Sequence, residues 1–275
     1  QFGPVRIWVP KRSEFSEKDA LLVSEMLTRI EGIEILELIE GWSLDSLDDF
    51  TSLKSLDISI DKLEELQGIS RLKHLEELNV ACQLIDGVSV LAQNSNLTSL
   101  RIHGEPLANI SGIECLSKLK LLSLSGKGNV DLKPIESLVG LECLDVSGLD
   151  DDVELTSIGF LSSLNSLRIY NCRLVGELRF LENLTKLEFC ALRSSAKFPV
   201  EVQSLNCDQT LERLFVINPD ELSFLTGLKK LRLLGISDCK FDQVKVDSIL
   251  SLDRNLESFS LSNITLSESE AKKIR

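Results

Sequence analysis

One pattern recurs along almost the whole chain: Leu-x-x-Leu-x-Leu, with Ile or Val sometimes replacing Leu. Five copies begin 22 residues apart, at Leu53/Leu56/Ile58, Leu75/Leu78/Val80, Leu97/Leu100/Ile102, Leu119/Leu122/Leu124 and Leu141/Leu144/Val146. An earlier copy stands at Ile33/Leu36/Leu38. Later ones follow at Leu164/Leu167/Ile169, Leu187/Cys190/Leu192, Leu211/Leu214/Val216, Leu231/Leu234/Ile236 and Leu256/Phe259/Leu261, with spacings between 20 and 25. The last four positions alternate with a period of two, which predicts a short strand with its leucines on one face. A second apolar set follows, as in Leu63/Leu66/Ile69 and Leu107/Ile110/Ile113, and predicts short 3₁₀ or irregular turns on the other side. One such unit cannot bury its own leucines, but a stack of about eleven makes one continuous core. The expected fold is therefore an α/β solenoid, with a parallel β-sheet on a concave face and helical or irregular turns on a convex one.

The stretch Pro134-Ile135-Glu136-Ser137-Leu138-Val139-Gly140-Leu141-Glu142-Cys143-Leu144 gives these units a family likeness. The chain resembles the leucine-rich-repeat superfamily, and its 22-residue units are similar to those of bacterial internalins and of cytosolic phosphatase-regulating repeat proteins. The resemblance covers about four fifths of the chain. It implies a fold and, more loosely, a binding task, since the superfamily serves many. The family usually places Asn, or sometimes Cys, three residues after the last strand leucine, where it ties adjacent turns together. Here that position holds Asp61, Gln83, Glu105, Lys127, Leu149, Cys172, Ser195, Pro219, Cys239 and Ile264. A regular amide ladder is not expected, and the turns should be least even between Ser194 and Gln209.

The expected layout is an N-terminal cap over 1–32, a solenoid over 33–264 and a C-terminal cap over 265–275. Val5 to Val9 reads as a strand. Ser16-x-x-Asp19 reads as a helix start, with Phe15 placed to staple onto Ala20. Val23, Met26, Leu27 and Ile30 are expected on the inward face of that helix, with Gly32 after its end. Ser267-x-x-Glu270, preceded by Leu266, should open a second helix inside which the chain stops, so a shortened cap is expected there. The chain begins at Gln1 rather than Met, so some N-terminal sequence is expected to have been removed or replaced.

Only 5% of residues are aromatic, so the core must be aliphatic. The net charge of −13 repels phosphate backbones and argues against nucleic acid, leaving a protein partner, one with a basic surface fitting best. The seven cysteines are odd in number and form no C-x-x-C pair, so reduced, mostly buried thiols in the cytoplasm are expected. Sequons at Asn96, Asn109, Asn183 and Asn263 carry no weight without a signal peptide, and no apolar run is long enough to span a membrane. Catalysis is not expected. His74 falls at a solvated junction and His103 on the strand face. Gly126-Lys127-Gly128 lacks the rest of a phosphate loop, and Asp150-Asp151-Asp152-x-Glu154 lacks the spacing of a calcium hand. No cofactor or metal is implied.

The repeat also names the outward residues: the third, fifth and seventh of each copy. Early copies carry Glu37, Asp57 and Glu77; the fourth carries Arg101 and His103. Copies seven to nine carry Arg168, Tyr170, Phe189, Arg193, Arg213, Phe215 and Ile217, gathering aromatics and arginines in an acidic, aromatic-poor chain. Arg and Tyr are enriched at binding hot spots, so Arg101, His103, Arg168, Tyr170, Phe189, Arg193, Arg213 and Phe215 are the candidate contact residues. Cross-strand packing of rings with arginine stems would produce the same pattern without a partner. The eighth copy has an alternative start at Leu184, which would turn Phe189 inward and expose Lys186 and Glu188. The function expected is a monomeric protein-binding module: an inhibitor, adaptor or scaffold. The alternatives are a substrate-recognition domain of a larger enzyme and a bacterial antitoxin-like protein covering a basic toxin.

Overall fold

The computed structural model describes residues 5–10, 14–29, 33–38, 50, 52–62, 69–150, 153–172, 174, 178–194, 200, 210–252 and 256–265. Ile39, Leu63, Leu66, Asp151, Asp152, Ser195, Cys207 and the expected second cap opened by Ser267 lie outside them, as do Ile30 and Gly32. The chain forms two compact units, Gln1–Pro134 and Ile135–Arg275.

In the first unit, the strands β1 (Val5–Val9), β2 (Ile33–Leu38), β3 (Ser55–Lys62), β4 (Glu77–Asp86), β5 (Ser99–Gly104), β6 (Leu107–Asn109) and β7 (Leu121–Ser125) are joined by one long helix, α1 (Glu17–Arg29), and by shorter turns. The strands lie parallel in the order β1-β2-β3-β4-β5-β7, and β6 pairs with the end of β4. Leu36, Leu56, Leu78, Leu100 and Leu122 share one row, each at most 1% exposed. This is the row the repeat predicts.

The helix start at Ser16 is as expected. Its Oγ accepts from the Asp19 N–H at 3.2 Å and donates to Asp19 Oδ2 at 2.6 Å. Glu17 and Asp19 in the first turn and Arg29 in the last oppose the helix dipole. Met26, expected to face inward, is instead exposed. The inward stripe runs through Ala20 and Leu27, both buried, and at 100° per residue Met26 points about a quarter turn away from it.

In the second unit, β8 (Cys143–Ser147), β9 (Ser166–Cys172), β10 (Phe189–Ser194), β11 (Arg213–Ile217), β12 (Leu233–Ser237) and β13 (Ser258–Ser262) pair in sequence order, all parallel. Leu144, Leu167, Cys190, Leu214 and Leu234 form the inner row and are wholly buried. The eighth copy therefore starts at Leu187, with Phe189 on the other face. Leu184 is buried too, but in the preceding turn. Every predicted copy supplies its strand.

Short 3₁₀ turns occur where the second apolar set predicts them, at Ser89–Leu91, Ile113–Cys115, Thr156–Phe160, Arg179–Asn183 and Ser223–Leu225. The 25-residue spacing before the last copy instead accommodates an unforeseen helix, α2 (Gln243–Leu250). Asp242 caps it, accepting from the Lys245 N–H at 2.9 Å.

The exits from the strands differ from the family pattern in a regular way. Gly148, Asn171, Asn218, Asp238 and Asn263 have positive φ, between 51° and 75°. Gly, Asn and Asp tolerate this left-handed conformation best. The Gly148, Asn218 and Asp238 N–H groups donate to the carbonyls of Tyr170, Ser237 and Ser262 in the next repeat. The left-handed step turns the following residue inward, so Leu149, Cys172, Pro219 and Cys239 are buried where the family has its amides. Cys239 lies in the turn as expected. Cys172, expected there too, is the last residue of β9. At the matching place in β10, Ser194 Oγ donates to the Cys172 carbonyl and accepts from the Leu174 N–H, both at 3.2 Å. Among the described residues, no helix is long and apolar enough to cross a membrane.

Candidate functional site

The outward residues of the second unit form three cross-strand rows. One reads Cys143, Ser166, Phe189, Arg213, Leu233, Ser258; the next Asp145, Arg168, Ala191, Phe215, Gly235, Ser260; the third Ser147, Tyr170, Arg193, Ile217, Ser237, Ser262. Six of the eight candidate contact residues therefore lie on three adjacent strands, β9 to β11. Parallel strands are spaced about 4.8 Å apart, so the six fit within a patch about 10 Å wide.

Phe189 is the centre of this patch. The Arg168 guanidinium carbon lies 4.6 Å from its ring centroid and that of Arg213 5.1 Å, both within cation–π range. The Phe215 ring is 5.9 Å away and tilted by 44°. Phe215 in turn lies over Gly235, its neighbour on β12. A Cβ at Gly235 would stand 2.8 Å from Phe215 Cε1 and closer still to Cδ1. Ala191, named as outward by the repeat, is only 1% exposed, between the larger side chains of Arg168 and Phe215 in the same row. Neither Gly235 nor Ala191 could carry a large side chain without lifting these rings.

The arginines differ in what they hold. Arg168 donates to Asp145 Oδ1 at 3.0 Å and sits 3.8 Å from Cys143 Sγ. Burial works against its charge, but the hydrogen bond and charge of Asp145 outweigh that, so its pKa rises. Arg168 is thus satisfied within the chain, as the packing alternative requires. Arg193 is exposed between Tyr170 and Ile217, and Arg213 is exposed with its guanidinium over the Phe189 ring. Burial pushes the Tyr170 phenol above its ordinary value, partly offset by Arg168, so it stays neutral at physiological pH.

Arg101 and His103 project from β5 in the first unit, both exposed. Arg101 donates to Ser99 Oγ at 3.1 Å, and His103 Nδ1 lies 3.2 Å from Ser125 Oγ. Beside them Asp57 accepts from Asn79 Nδ2 at 2.7 Å and Glu77 from Ser55 at 3.5 Å. Two partnerships go beyond what the repeat predicts: Asp145 with Arg168, and Phe215 with Gly235. Both were legible in principle, because each pair occupies the same position of successive copies.

No family model matches the chain, and no curated protein matches it. Solved structures do. An internalin of Listeria monocytogenes aligns over 90% of this chain and 73% of its own, at 18% identity and a TM-score of 0.64. A leucine-rich-repeat protein of Leptospira interrogans aligns over 98% and 81%, at 17% identity and a TM-score of 0.50. TLR13 in complex with ssRNA13 aligns over 89% of this chain but only 39% of its own, at 16% identity and a TM-score of 0.64. Identities this low speak to architecture, and with the strand register they lead to one statement: the chain is a leucine-rich-repeat solenoid.

Proposed function

We propose that this protein is a binding module for another protein, and that the open sheet face of the second unit is where the partner docks. The observation that supports this best is the exposed pair Arg193 and Arg213, neither with a carboxylate partner among the described residues, beside half-buried Tyr170, Phe189 and Phe215. Packing alone accounts for Arg168, which Asp145 and the Phe189 ring already hold. It does not account for two arginines that stabilise nothing on their own strands except through one ring contact. Rigid rings held from below offer apolar contact area at little entropic cost, and guanidiniums beside them add directional donors. Within this reading, inhibitor, adaptor and scaffold are equally served, and residues 1–32 act as a cap over the first repeats. The face of the first unit fits a partner less well, since Arg101, Asp57 and Glu77 all hold hydrogen bonds within the sheet.

The test is affinity capture from the source lysate, followed by calorimetry on the partner identified. Tyr170→Ala and Phe215→Ala should each weaken binding by about 2 kcal/mol, or roughly thirtyfold. Folded variants, checked by circular dichroism, that bind with unchanged affinity would remove this face as the docking site.

A further inference from the structure

We infer that the partner segment taken by this face is acidic, with two carboxylates set on either side of one apolar side chain. The inference rests on the docking reading above and adds its chemistry. Among the described outward residues of the second unit there are three guanidiniums and one carboxylate, and that carboxylate, Asp145, is held by Arg168. Arg193 has no ion-pair partner among the described residues, and the ring contact of Arg213 uses none of its five N–H donors. A basic segment would bring like charges together here. A purely apolar one would strip water from two guanidiniums and leave them unpaired. Only an anionic segment satisfies both. The chain's net charge of −13, and Glu188, Glu212 and Glu257 at the starts of the strands, oppose a polyanion such as RNA and favour a short run with only a few charges.

The register sets the spacing. Arg213 pairs with Phe189 and Ile217 with Arg193, so the two arginines are four residues apart along adjacent strands. At about 3.3 Å per residue and 4.8 Å between strands, their Cα atoms are roughly 14 Å apart. Phe215 lies between them on its glycine seat, and Tyr170 and Ile217 flank Arg193. An extended segment would meet this arrangement with Asp or Glu four residues apart and an apolar residue between them.

The experiment is selection from a displayed library of random dodecapeptides, with the whole chain as bait, followed by fluorescence anisotropy on one labelled, selected peptide. The expected peptides carry two acidic residues around an apolar one. Their affinity should fall at least about tenfold in Arg193→Ser/Arg213→Ser, fall less in Arg193→Lys/Arg213→Lys, and also fall in Tyr170→Ala/Phe215→Ala. Neutral or basic peptides that depend on Tyr170 and Phe215 would overturn the acidic chemistry while leaving the docking reading in place. Peptides indifferent to all these variants, or no enrichment at all, would overturn both. A labelled poly(U) strand that binds more tightly than the peptide and is lost in the serine variant would overturn the proposal in favour of nucleic acid.

Discussion

Replacing Gly235 by alanine tests whether the proposed docking face is held in place by its own packing. The glycine does not have the left-handed conformation, so alanine suits its backbone; the obstacle is the Phe215 ring, which lies where the new methyl would go. Overpacking of this kind costs about 1–3 kcal/mol. Against that, removing a glycine from the unfolded chain returns about 0.4–1 kcal/mol. The net expectation is a loss of about 1–2 kcal/mol, or a few degrees in Tm for a chain of this size. In a Phe215→Ala background the ring is gone. The nearest remaining atom is the Ser260 hydroxyl at 3.2 Å, which can rotate aside. The same Gly235→Ala change should then be neutral or slightly stabilising. Urea melts of the four proteins close a double-mutant cycle, with an expected coupling of about 1.5–3 kcal/mol. Gly235→Ala alone should also weaken partner binding, since it tilts Phe215 without deleting any contact group. An equal loss of stability in both backgrounds would show that the penalty does not come from the ring and would refute the argument for a packed face.

Other positions give sharper or opposite outcomes. Gly126→Ala would place a Cβ against the Gly104 carbonyl, with a φ of 138° that alanine rarely adopts, and should cost about 3 kcal/mol or more in urea denaturation. Asn94 is buried and its Nδ2 donates to the carbonyls of Ile69 and Leu72, at 2.8 and 3.2 Å; Asn94→Ala should cost about 2 kcal/mol by the same assay. Burial, eased by nearby Lys245, pushes the Cys239 thiol from 9.0 up to about 11. The folded state thus holds this proton more tightly than the unfolded one, giving stability that is complete below pH 9 and lost as pH rises towards 11. Cys239→Ala should therefore show a shallower fall in Tm between pH 9 and 11 than the parent protein. Alkylation of native protein at pH 8, read by mass spectrometry, should label exposed Cys115 and spare buried Cys190 and Cys239.

The inner rows were legible because burial leaves few choices. A position that must fill space beside the leucines of two neighbours accepts little besides Leu, Ile, Val or Cys, and the 22-residue spacing repeats that demand. The turns were not legible in the same way, because the residue that makes each turn stands one position before the one where the family has its amide. What these turns require is a backbone able to adopt positive φ, which Gly148, Asn171, Asn218, Asp238 and Asn263 supply, in the first four cases just before a buried residue. That signal is a conformational tolerance shared by three residue types, so no single letter repeats. The ambiguity at the eighth copy had another cause: Leu184 and Leu187 are both buried, one in the turn and one at the strand start, so hydrophobicity could not separate them.

The outward face obeys a different rule. Its residues are not needed for the core, so the repeat fixes where they point but not what they are, and a partner can reshape them freely. Yet the face still leaves a trace, because side chains on neighbouring strands are close enough to constrain one another. Phe215 can lie over β12 because that strand offers Gly235 at the matching place, and half-buried Arg168 is held by Asp145 of β8. Such compensations seat one ring and hold one arginine, and among the described residues of this face they leave Arg193 and Arg213 without a carboxylate. It is on this mismatch between internal satisfaction and residual charge, more than on the presence of arginines and aromatics as such, that the docking proposal for this face rests.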